Sequence, residues 1–594
     1  MPDKKNKSEI LRHSTAHVLA AAVLEMFPEA KFGMGPATED GFFYDFELPR
    51  TLIPEDLPLL EEKMKKIIKA DYKFERAEIS IKEATEHFQK LGQTLKMEII
   101  KDLEKEKGVA GCGLRVAIYK SGTFVDLCSG PHLESTGKIN ADAIKLTRIS
   151  GAYWKGDEKN QQLQRIYGVV FTQEKELQEY LTQKEEAEKR DHRKLGKELD
   201  LFIFSDLVGP GLPIYTPKGA TIRREIINYS NELQRGIGYQ EVHTPNINKA
   251  ELFKVSGHYE KFKDDMLKVI SNYTAEEYFL KPMNCPQHTQ IFASKMRSYK
   301  DLPIRIADFA NLYRDEKPGE LLGLTRLRCF CQDDGHSFCR EDQIKTEFAS
   351  ILGIIKQAMK TYNMEYTIRL SLWDPETPEK YLGDPSVWEN SQKLLEEILV
   401  ENKIEYTRGV GEAAMYGPKM DLISKDSLGR EWQISTIQLD LIMPTRFELS
   451  YIDEEGKKRT PIMIHRAITG SPERFMGILI EHYAGAFPVW LSPVQAMIIP
   501  VGEKFEKYAE KVNAVLQEKN IRSEINSNSE SLGKRIREAE KQKIPYMLIV
   551  GEKEEASVEA SMKVSIRHRD DKKQETMPLQ DFVKKITKEI QEKK

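Results

Sequence analysis

Hydrophobic and polar positions change their spacing along the chain and divide its 594 residues into four stretches. Residues 1–171 mix helical and strand spacings, and residues 199–490 alternate helices with many strand runs. Between them, residues 172–198 are charged nearly all round, which is typical of an exposed linker helix. Residues 491–594 form a fourth stretch. The pattern predicts an α+β protein with several domains, in agreement with about four domains of ~150 residues each.

The last stretch has the spacing of a compact α/β unit. Gln495–Val501 and Ile544–Val550 are short apolar runs typical of buried strands. Glu506–Gln517 has helical spacing, and Lys534–Lys543 has the spacing of a basic helix between the two strands.

The most informative segment is Arg305–Phe338. One extended run ends at Tyr313, a loop with proline and glycine follows, and a second extended run starts at Thr325. Alternate side chains of the returning strand share a face. One face should therefore carry Arg326, Arg328, Phe330, Gln332, Asp334 and His336, and the other Leu327, Cys329 and Cys331. The first face is suited to hold a phosphate, a flat base and a small polar substrate together.

A helix followed by a short strand precedes this segment. Thr221–Leu233 has apolar residues at helical spacing, and Gly236 and Gly238 should end the helix. A strand at Tyr239–Val242 follows and ends before Pro245. A helix followed by a short strand is common in proteins, so this pattern indicates a function only together with the motifs described below.

Composition excludes several classes of protein. The net charge of −4 shows no global attraction to nucleic acid, so RNA contacts must come from local basic faces such as Lys189–Lys197. Six cysteines in a chain of this length indicate a reducing compartment, with packing or metal roles. The N-terminus lacks an apolar signal region, and no run reaches the length of a membrane span. We therefore expect a cytoplasmic protein.

The letters YRDE, a loop, and R-x-R-x-F-x-QDDxH resemble the second signature motif of class II aminoacyl-tRNA synthetases. The ending QDDGH resembles the threonyl-tRNA synthetase family, and other motifs of that family recur along nearly the whole chain. The resemblance implies an antiparallel-sheet catalytic core at 199–490, an N-terminal α+β editing domain at 1–171 and a C-terminal α/β anticodon-binding domain at 491–594. It implies ATP-dependent attachment of threonine to tRNA(Thr) through a threonyl-adenylate, with Mg²⁺ accompanying ATP.

The resemblance also assigns the substrate pockets, because GSPERF at Gly470–Phe475 is similar to the third class II motif. The implied ATP site consists of Arg314, Glu316, Arg326, Phe330, Gln433, Thr436 and Arg474. The implied threonine site consists of Met283, Gln332, Asp334, Tyr416, Lys419, Gln438 and Ser471. Gln433 and Gln438 would face oppositely on a straight strand, so a bulge or a strand end must intervene if both reach the ligand. His258 would assist proton removal from the terminal ribose, although a structural histidine is an alternative.

Two groups of residues compete as a metal site. Cys329, Cys331, His336 and Cys339 have the spacing of a compact zinc cluster, but Cys329 and Cys331 should point away from His336. The resemblance instead implies one Zn²⁺ on Cys285, His336 and His465, with a position open for substrate. Such an ion would bind the amino and hydroxyl groups of threonine, and valine has no hydroxyl. Serine has one, so this selection requires a second, corrective site.

Two histidines mark the expected corrective site. His13 and His17 lie on one face of a helix predicted from Ser8 to about Phe27. With Cys128 and His132 they resemble the editing site of threonyl- and alanyl-tRNA synthetases, with Tyr44 and Asp126 as expected neighbours. Histidine and cysteine are residue types that bind metals, but the resemblance implies hydrolysis of seryl-tRNA without a bound metal.

The chain departs from the family pattern in two places. The histidine pair begins near residue 13, without the small ubiquitin-like domain that many bacterial members carry before it. The segment that usually reads RNEK reads Asn528–Ser531 here, so Ser529, Glu554 and Arg567 are the implied anticodon residues. The helix and strand before Pro245 resemble the first class II motif, which implies a homodimer. The alternative function is a catalytically silent paralogue that regulates by binding RNA.

Overall fold

The computed structural model describes residues 2–38, 41–106, 115–157, 159–426, 429–555, 562–571 and 573–594. The chain forms two compact units, residues 1–185 and 186–594. No helix among the described residues is both long and apolar enough to cross a membrane.

The first unit is built from two antiparallel sheets and the helices that cover them. Its elements are α1 (Pro2–Met26), β1 (Lys31–Phe32), β2 (Phe42–Glu47), α2 (Asp56–Lys69), β3 (Glu75–Ser80), α3 (Ile81–Lys90), α4 (Thr94–Glu106), β4 (Arg115–Ser121), β5 (Phe124–Leu127), β6 (Ile144–Tyr153), β7 (Gln162–Val170) and most of α5 (Glu174–Arg190). The strand orders are β1-β2-β7-β6 and β3-β4-β5. The alanine-rich middle of α1 packs with Phe42, Tyr44 and Phe46 of β2 in one core.

The first part of the second unit contains an eight-stranded sheet and the elements around it. Its elements up to residue 482 are α6 (His192–Glu198), β8 (Phe202–Ile203), β9 (Ile214–Tyr215), α7 (Pro217–Gly236), β10 (Gln240–Glu241), β11 (Ile247–Lys249), α8 (Ala250–Ser256), α9 (His258–Phe262), β12 (Lys268–Val269), β13 (Tyr278–Leu280), α10 (Cys285–Ala293), β14 (Arg297–Ser298), β15 (Ile304–Tyr313), β16 (Cys329–Cys339), α11 (Ile344–Thr361), β17 (Thr367–Leu372), α12 (Pro385–Glu401), β18 (Thr407–Val410), β19 (Lys419–Lys425), β20 (Glu431–Asp440), α13 (Met443–Arg446), β21 (Tyr451–Ile452), β22 (Lys458–Arg459), β23 (Ile462–Ala467) and α14 (Pro472–His482).

Eight strands form the central sheet in the order β10-β15-β16-β23-β20-β19-β17-β18. All its neighbouring strands run antiparallel except β10 with β15 and β17 with β18. Apolar residues of α7, α11 and α14 pack with this sheet in the largest core. The predicted antiparallel-sheet core is therefore confirmed.

The C-terminal part of this unit is a five-stranded sheet in the order β25-β24-β26-β27-β28. Its elements are β24 (Ala496–Pro500), α15 (Glu506–Glu518), β25 (Ser523–Ile525), α16 (Leu532–Lys541), β26 (Tyr546–Val550), α17 (Glu552–Glu555), β27 (Lys563–His568), β28 (Gln574–Pro578) and α18 (Leu579–Gln591). The two buried strands and two helices predicted here are confirmed to within a few residues.

The charged stretch at 172–198 is not the single exposed helix that its composition predicts. It breaks into α5 and α6 at Asp191, whose side chain caps α6 by accepting a hydrogen bond from the Arg193 amide at 2.8 Å. His192 and Leu195 are buried. His192 Nδ1 lies 2.7 Å from Glu481 Oε1, and its Nε2 accepts from the Leu324 amide at 3.0 Å. The prediction failed because the three buried residues among the seven of α6 are not evident in a sequence with so many charges.

The strand, loop and returning strand at 305–338 are present, but the return starts later than predicted. β16 begins at Cys329, so Arg326 and Arg328 lie in the preceding loop. The prediction that Arg326 and Arg328 share a face of the returning strand with Phe330 is therefore wrong. Arg328 donates two hydrogen bonds to the Glu316 carbonyl, at 2.9 and 3.0 Å, and ties the two ends of the loop together.

Candidate functional site

One face of the central sheet forms the floor of a cavity of about 250 Å³. β16, β20 and β23 supply the floor, and α10, the loop before β16 and the start of α14 supply the walls. The cavity brings together the predicted nucleotide residues Arg314, Glu316, Arg326, Phe330, Gln433, Thr436 and Arg474. It is also lined by the predicted threonine residues Met283, Gln332, Asp334, Tyr416, Gln438 and Ser471.

A bulge in β20 lets both glutamines reach this cavity. Opposite β19, the pairing changes from Leu422 with Ser435 to Ile423 with Gln433, so Ile434 is the extra residue. An extra residue restores a common face to side chains that are five apart in sequence. The predicted bulge is confirmed.

Two arginines line the cavity without a carboxylate partner. Neither Arg314 nor Arg474 forms an ion pair within 4.0 Å with any described residue. Arg314 lies 5.2 Å from the centroid of Phe330, and Arg474 lies 5.6 Å from that of Trp432. Burial lowers the pKa of each guanidinium from its usual value, but arginine remains charged at neutral pH. Two partly buried cations without a carboxylate counter-ion among the described residues favour an anionic ligand.

The loop before β16 carries its own ion pairs. Arg326 Nε donates to Glu316 at 2.9 Å, and its Nη2 donates to Glu320 at 2.6 Å. Arg474 Nε donates to the Thr325 carbonyl at 2.9 Å, which connects the loop to α14. Ser471 caps that helix and also donates to Glu473 at 2.8 Å.

Cys285, His336 and His465 meet at the end of the cavity. Their potential ligand atoms all lie within 4.8 Å of one another, and His336 Nε2 is 3.0 Å from His465 Nδ1. His465 Nε2 lies 2.8 Å from Asp440, and the Tyr416 ring stacks on His465 at 4.5 Å. One thiol and two imidazoles are a donor set typical of catalytic zinc.

The competing local cluster does not assemble. Cys329 and Cys331 are absent from every group of possible metal ligands within the described ranges. They line a separate cavity of about 440 Å³ with Tyr215 and Arg223. Burial raises the pKa of the Cys331 thiol well above its ordinary value. The period-two expectation that these cysteines point away from His336 agrees with this arrangement.

Three predicted substrate residues have particular surroundings. Burial raises the pKa of Asp334 to about 7. Lys419 is not among the lining residues, because its ammonium lies 2.7 Å from Asp421 and 3.3 Å from Gln433. His258 is fully buried behind the wall, with Nε2 at 3.0 Å from Met283 Sδ and 3.9 Å from Cys285 Sγ. Its pKa falls to about 3, chiefly through burial.

The first unit gathers its six predicted residues into one cluster of side chains. Cys128 Sγ lies 3.3 Å from His13 Nε2 and 3.4 Å from His132 Nε2. The His13 and His17 rings are 5.2 Å apart, as their helical spacing predicts. Asp126 accepts from the Tyr44 hydroxyl at 2.5 Å and lies 3.5 Å from His17 Nε2.

Burial keeps this second cluster uncharged. It lowers the pKa of His13 and His17, and that of His132 to about 2. It raises the pKa of the Cys128 thiol to about 11. A lowered pKa leaves an imidazole neutral but makes it a weaker base, and a protonated thiol is a poor nucleophile. The cluster is therefore poorly suited to thiolate attack.

Comparison with known proteins identifies the family. A threonine--tRNA ligase from a Geobacillus species is 45% identical over 590 residues, which is 99% of this chain and 89% of that protein. A threonine--tRNA ligase 2 from Bacillus subtilis is 46% identical over 589 residues, 99% of this chain and 89% of that protein. The chain belongs to the threonine--tRNA ligase family.

Three domain families support this membership. The tRNA synthetase class II core domain (G, H, P, S and T) matches residues 267–483, and an anticodon binding domain matches 495–589. The threonyl and alanyl tRNA synthetase second additional domain matches 116–167. A solved structure described as the RNA binding domain of a Cryptosporidium parvum threonyl-tRNA synthetase aligns with a TM-score of 0.63 and 37% identity, over 67% of this chain and 98% of that one.

A more distant structure shares the fold alone. Prolyl-tRNA synthetase of Cryptosporidium parvum aligns with a TM-score of 0.53 and 17% identity, over 68% of this chain and 77% of that one. The antiparallel sheet and its flanking helices are thus common to class II enzymes of different specificity, so specificity must be sought in the cavity residues.

The implied anticodon residues differ in their exposure and their partners. Ser529 is exposed in the loop before α16. Glu554 is buried and accepts from the Gly551 amide at 2.9 Å and the Ser565 hydroxyl at 2.8 Å. Arg567 donates to Glu540 at 2.5 Å. Their role in anticodon reading stays a prediction.

Sequence reasoning missed Lys96. It lies on α4, only 4% exposed, with its ammonium 2.6 Å from Asp126 Oδ1 and 3.2 Å from the Tyr44 hydroxyl. The contact with Oδ1 is an ion pair rather than a directed hydrogen bond. No motif surrounds Lys96 in the sequence, and only its complete burial in the fold reveals it.

Removing the Lys96 charge should destabilise the first unit. Lys96→Met leaves the buried Asp126 without its cation, which costs about 3–5 kcal/mol for a pair of this kind. Hydrogen exchange at α1 and β2 should accelerate accordingly. Lys63→Met is the control, since Lys63 is half-buried and 3.7 Å from Glu25, and it should cost less than about 1 kcal/mol. Equal exchange in both variants would contradict the assignment.

Proposed function

We propose that the protein attaches threonine to tRNA(Thr) and hydrolyses seryl-tRNA made in error. ATP and threonine form a threonyl-adenylate with release of pyrophosphate, and the adenylate then acylates the terminal ribose of tRNA(Thr). The observation that supports the first step is that two guanidiniums without a carboxylate partner among the described residues, those of Arg314 and Arg474, lie in one cavity with Phe330.

The protein would promote activation of threonine by neutralising negative charge and by positioning the two substrates. Adenylate formation brings the threonine carboxylate to the α-phosphate, and both groups are anionic. Arg314 and Arg474, with Mg²⁺ on the phosphates, reduce this repulsion. Phe330 offers a flat apolar face for the adenine, and Glu316 offers a hydrogen-bond acceptor for its amino group. Gln433 and Thr436 complete the nucleotide site.

Zn²⁺ is the metal that the Cys285, His336 and His465 donor set fits best, with one ion in each subunit. When bound, zinc would supply a Lewis acid that accepts the amino and hydroxyl groups of threonine. Asp334 lies beside His336, with a carboxylate oxygen 3.7 Å from its Nε2. With its pKa near 7, Asp334 can take up a proton close to neutral pH.

The amino-acid pocket is completed by polar side chains that hold one another in place. The Tyr416 hydroxyl donates to Gln438 at 2.7 Å, and Met283, Gln332 and Ser471 line the same cavity. Lys419 and His258 do not line the cavity. His258 would assist the transfer step, and Lys419 would contribute to the threonine site.

The cluster in the first unit would remove serine. Serine keeps the hydroxyl that the metal selects, and the loss of one methyl gives only ~1–3 kcal/mol of discrimination. His13, His17, His132 and Cys128 surround a space in which a neutral imidazole can deprotonate a water molecule. Tyr44, Asp126 and Lys96 form the buried wall behind it.

The assembly and location of the protein are part of this proposal. The helix α7 and strand β10 match the first class II motif, and we propose that they form the interface of a cytoplasmic homodimer. A silent RNA-binding paralogue is the less favoured function, because the class II core matches at 267–483 and every proposed ATP and metal residue is present.

Replacing Arg314 should stop activation. Arg314→Ala removes a charge-assisted contact in the transition state, which is worth at least ~2–3 kcal/mol or about 30- to 150-fold in rate. ATP–pyrophosphate exchange with threonine measures this step. Arg408→Ala, which removes an exposed arginine paired with Glu396, should leave the exchange unchanged. A wild-type rate in Arg314→Ala would refute the assignment.

Zinc content should separate the two possible metal sites. Cys285→Ala should lose most of the zinc of the purified protein, because it removes the only thiolate of the proposed donor set. Cys329→Ser combined with Cys331→Ser should keep it. Elemental analysis beside a folded-state check gives the answer, and the reverse pattern would favour the local cluster.

The editing proposal predicts a loss of deacylation without a loss of threonylation. His13→Ala combined with His17→Ala should let seryl-tRNA accumulate, because two of the proton acceptors are gone. The measurement is hydrolysis of preformed seryl-tRNA(Thr). His87→Ala changes another histidine of the same unit and serves as the control. If the double variant hydrolyses seryl-tRNA as fast as wild type, editing lies elsewhere.

A further inference from the structure

His192 is a buried histidine of α6 that none of the proposed roles above uses. Its Nε2 lies 3.0 Å from the backbone nitrogen of Leu324, and its Nδ1 lies 2.7 Å from Oε1 of Glu481. Leu324 belongs to the loop before β16 and lines the proposed ATP cavity. Glu481 lies near the end of α14. One imidazole ring thus connects three segments that are far apart in the sequence.

The two contacts fix the position of the proton on this ring. A backbone amide can only donate, so Nε2 of His192 must carry the lone pair that accepts from Leu324. The proton of the ring then lies on Nδ1 and is donated to Glu481. The backbone amide of His192 donates to the same carboxylate oxygen at 3.3 Å. Asp191, His192 and Glu481 bring possible metal ligands within 4.8 Å of one another, but both ring nitrogens of this trio are already used.

Two glycines allow the loop to pack closely on this arrangement. Gly323 has a φ of 47°, and a Cβ there would collide with Nε2 of His192. Gly477 lies on the side of α14 that faces the loop, where an added Cβ would be 3.4 Å from Leu324 Cβ and 3.5 Å from Thr325 Cγ2. The loop backbone therefore lies directly against both the imidazole and the helix.

The helix α14 is connected to this loop at both of its ends. Arg474 and Glu481 are seven residues apart, which places them on one face of the helix. Arg474 Nε donates to the Thr325 carbonyl at 2.9 Å. Glu481 reaches the next residue back, Leu324, through the ring of His192. The contact through His192 therefore fixes the same turn of the loop that contacts Arg474.

We propose that His192 is a positioning residue of the ATP site, because it holds the loop before β16 against α14. The inference rests on the proposed ATP site. His192 is not among the residues that line the cavity, so it acts through the loop and not on substrate. The loop carries Arg326 into the cavity, and Arg474 is hydrogen-bonded to it. Without the ring, the amide of Leu324 and the carboxylate of Glu481 would each lose a buried partner, and the loop would be less restrained.

The effect should fall on ATP more than on threonine. Gln332 and Asp334 of the proposed threonine site lie in β16, and Gln438 lies in β20. These strands belong to the central sheet and not to the loop that His192 holds. A less restrained loop should therefore raise KM for ATP and leave KM for threonine near its wild-type value.

ATP–pyrophosphate exchange by the full-length protein measures both KM values. His192→Leu should raise KM for ATP about 10-fold, because a buried donor and a buried acceptor lose their partner. It should change KM for threonine by less than about twofold. His192→Gln carries an acceptor and a donor in one carboxamide, so it should recover part of the loss.

Leu199→Ala is the matched control, because Leu199 is also buried and lies at the C-terminal end of the same helix, beside Gly485. It should lower thermal stability through the loss of core packing but leave KM for ATP unchanged. Hydrogen exchange at the Leu324 amide, measured without substrates, gives a second comparison. His192→Leu should accelerate that exchange more than Leu199→Ala does.

The outcomes separate this inference from the proposed function. If wild type exchanges pyrophosphate and His192→Leu keeps the wild-type KM for ATP, the role of His192 is wrong and the function stands. If His192→Leu raises both KM values alike, or behaves as Leu199→Ala does, His192 only stabilises the fold and the inference is wrong. If wild type shows no exchange with threonine, both are wrong.

A second pair of variants covers the case in which His192→Leu fails to fold. His192→Gln is then compared with His192→Met, which has a similar size and no oxygen acceptor. The glutamine variant should have the lower KM for ATP. Equal values in that pair would overturn the inference.

Discussion

The register of three antiparallel strands is the constraint on which the synthetic site depends. β16 pairs with β23 so that His336 lies opposite His465, and β23 pairs with β20 so that His465 lies opposite Gln438. Side chains directly opposite share a face about 4.5–5.5 Å apart. A slip of one residue would turn each of them to the other face. The apolar neighbours Ile437 and Ile464, buried in the main core, hold the register that the polar face requires.

Pairing with a carboxylate separates the arginines that support the fold from those that are proposed to face a ligand. Arg223, Arg305 and Arg466 each pair with a buried carboxylate. Arg314 and Arg474 are partly buried, but no carboxylate of the described ranges pairs with them. Burial of an unpaired charge opposes folding unless a ligand repays it on binding. The same residue type thus has two roles, which sequence spacing alone does not separate.

The alternation of side chains along strands determines how much of the site the sequence could predict. The strand, loop and return at 305–338 follow from alternation, and the bulge at Ile434 follows from the need to place Gln433 and Gln438 on one face. The true start of β16 at Cys329 does not follow, because Arg326 and Arg328 continue the alternation inside a loop. Loop conformation there depends on contacts with Glu316 and Glu320, which are tertiary in origin.

Local sequence patterns do not predict residues whose contacts lie far away along the chain. Cys285, His336 and His465 were found only by resemblance, since no spacing links three elements so far apart in sequence. No motif and no family resemblance points to Lys96, and His192 lies within a highly charged stretch of sequence. Each is identified by complete or near-complete burial of a polar group, which only the folded chain reveals.

The two sites solve one selection problem with opposite electrostatics. The synthetic cavity collects cations and metal donors, because it must hold phosphates and recognise a hydroxyl. That same recognition admits serine, which shares the hydroxyl with threonine. In the cluster around His13 and Cys128 the imidazoles and the thiol are uncharged and Asp126 pairs with Lys96, which leaves water as the proposed nucleophile. Selection by hydroxyl in one unit therefore creates the need for hydrolysis in the other.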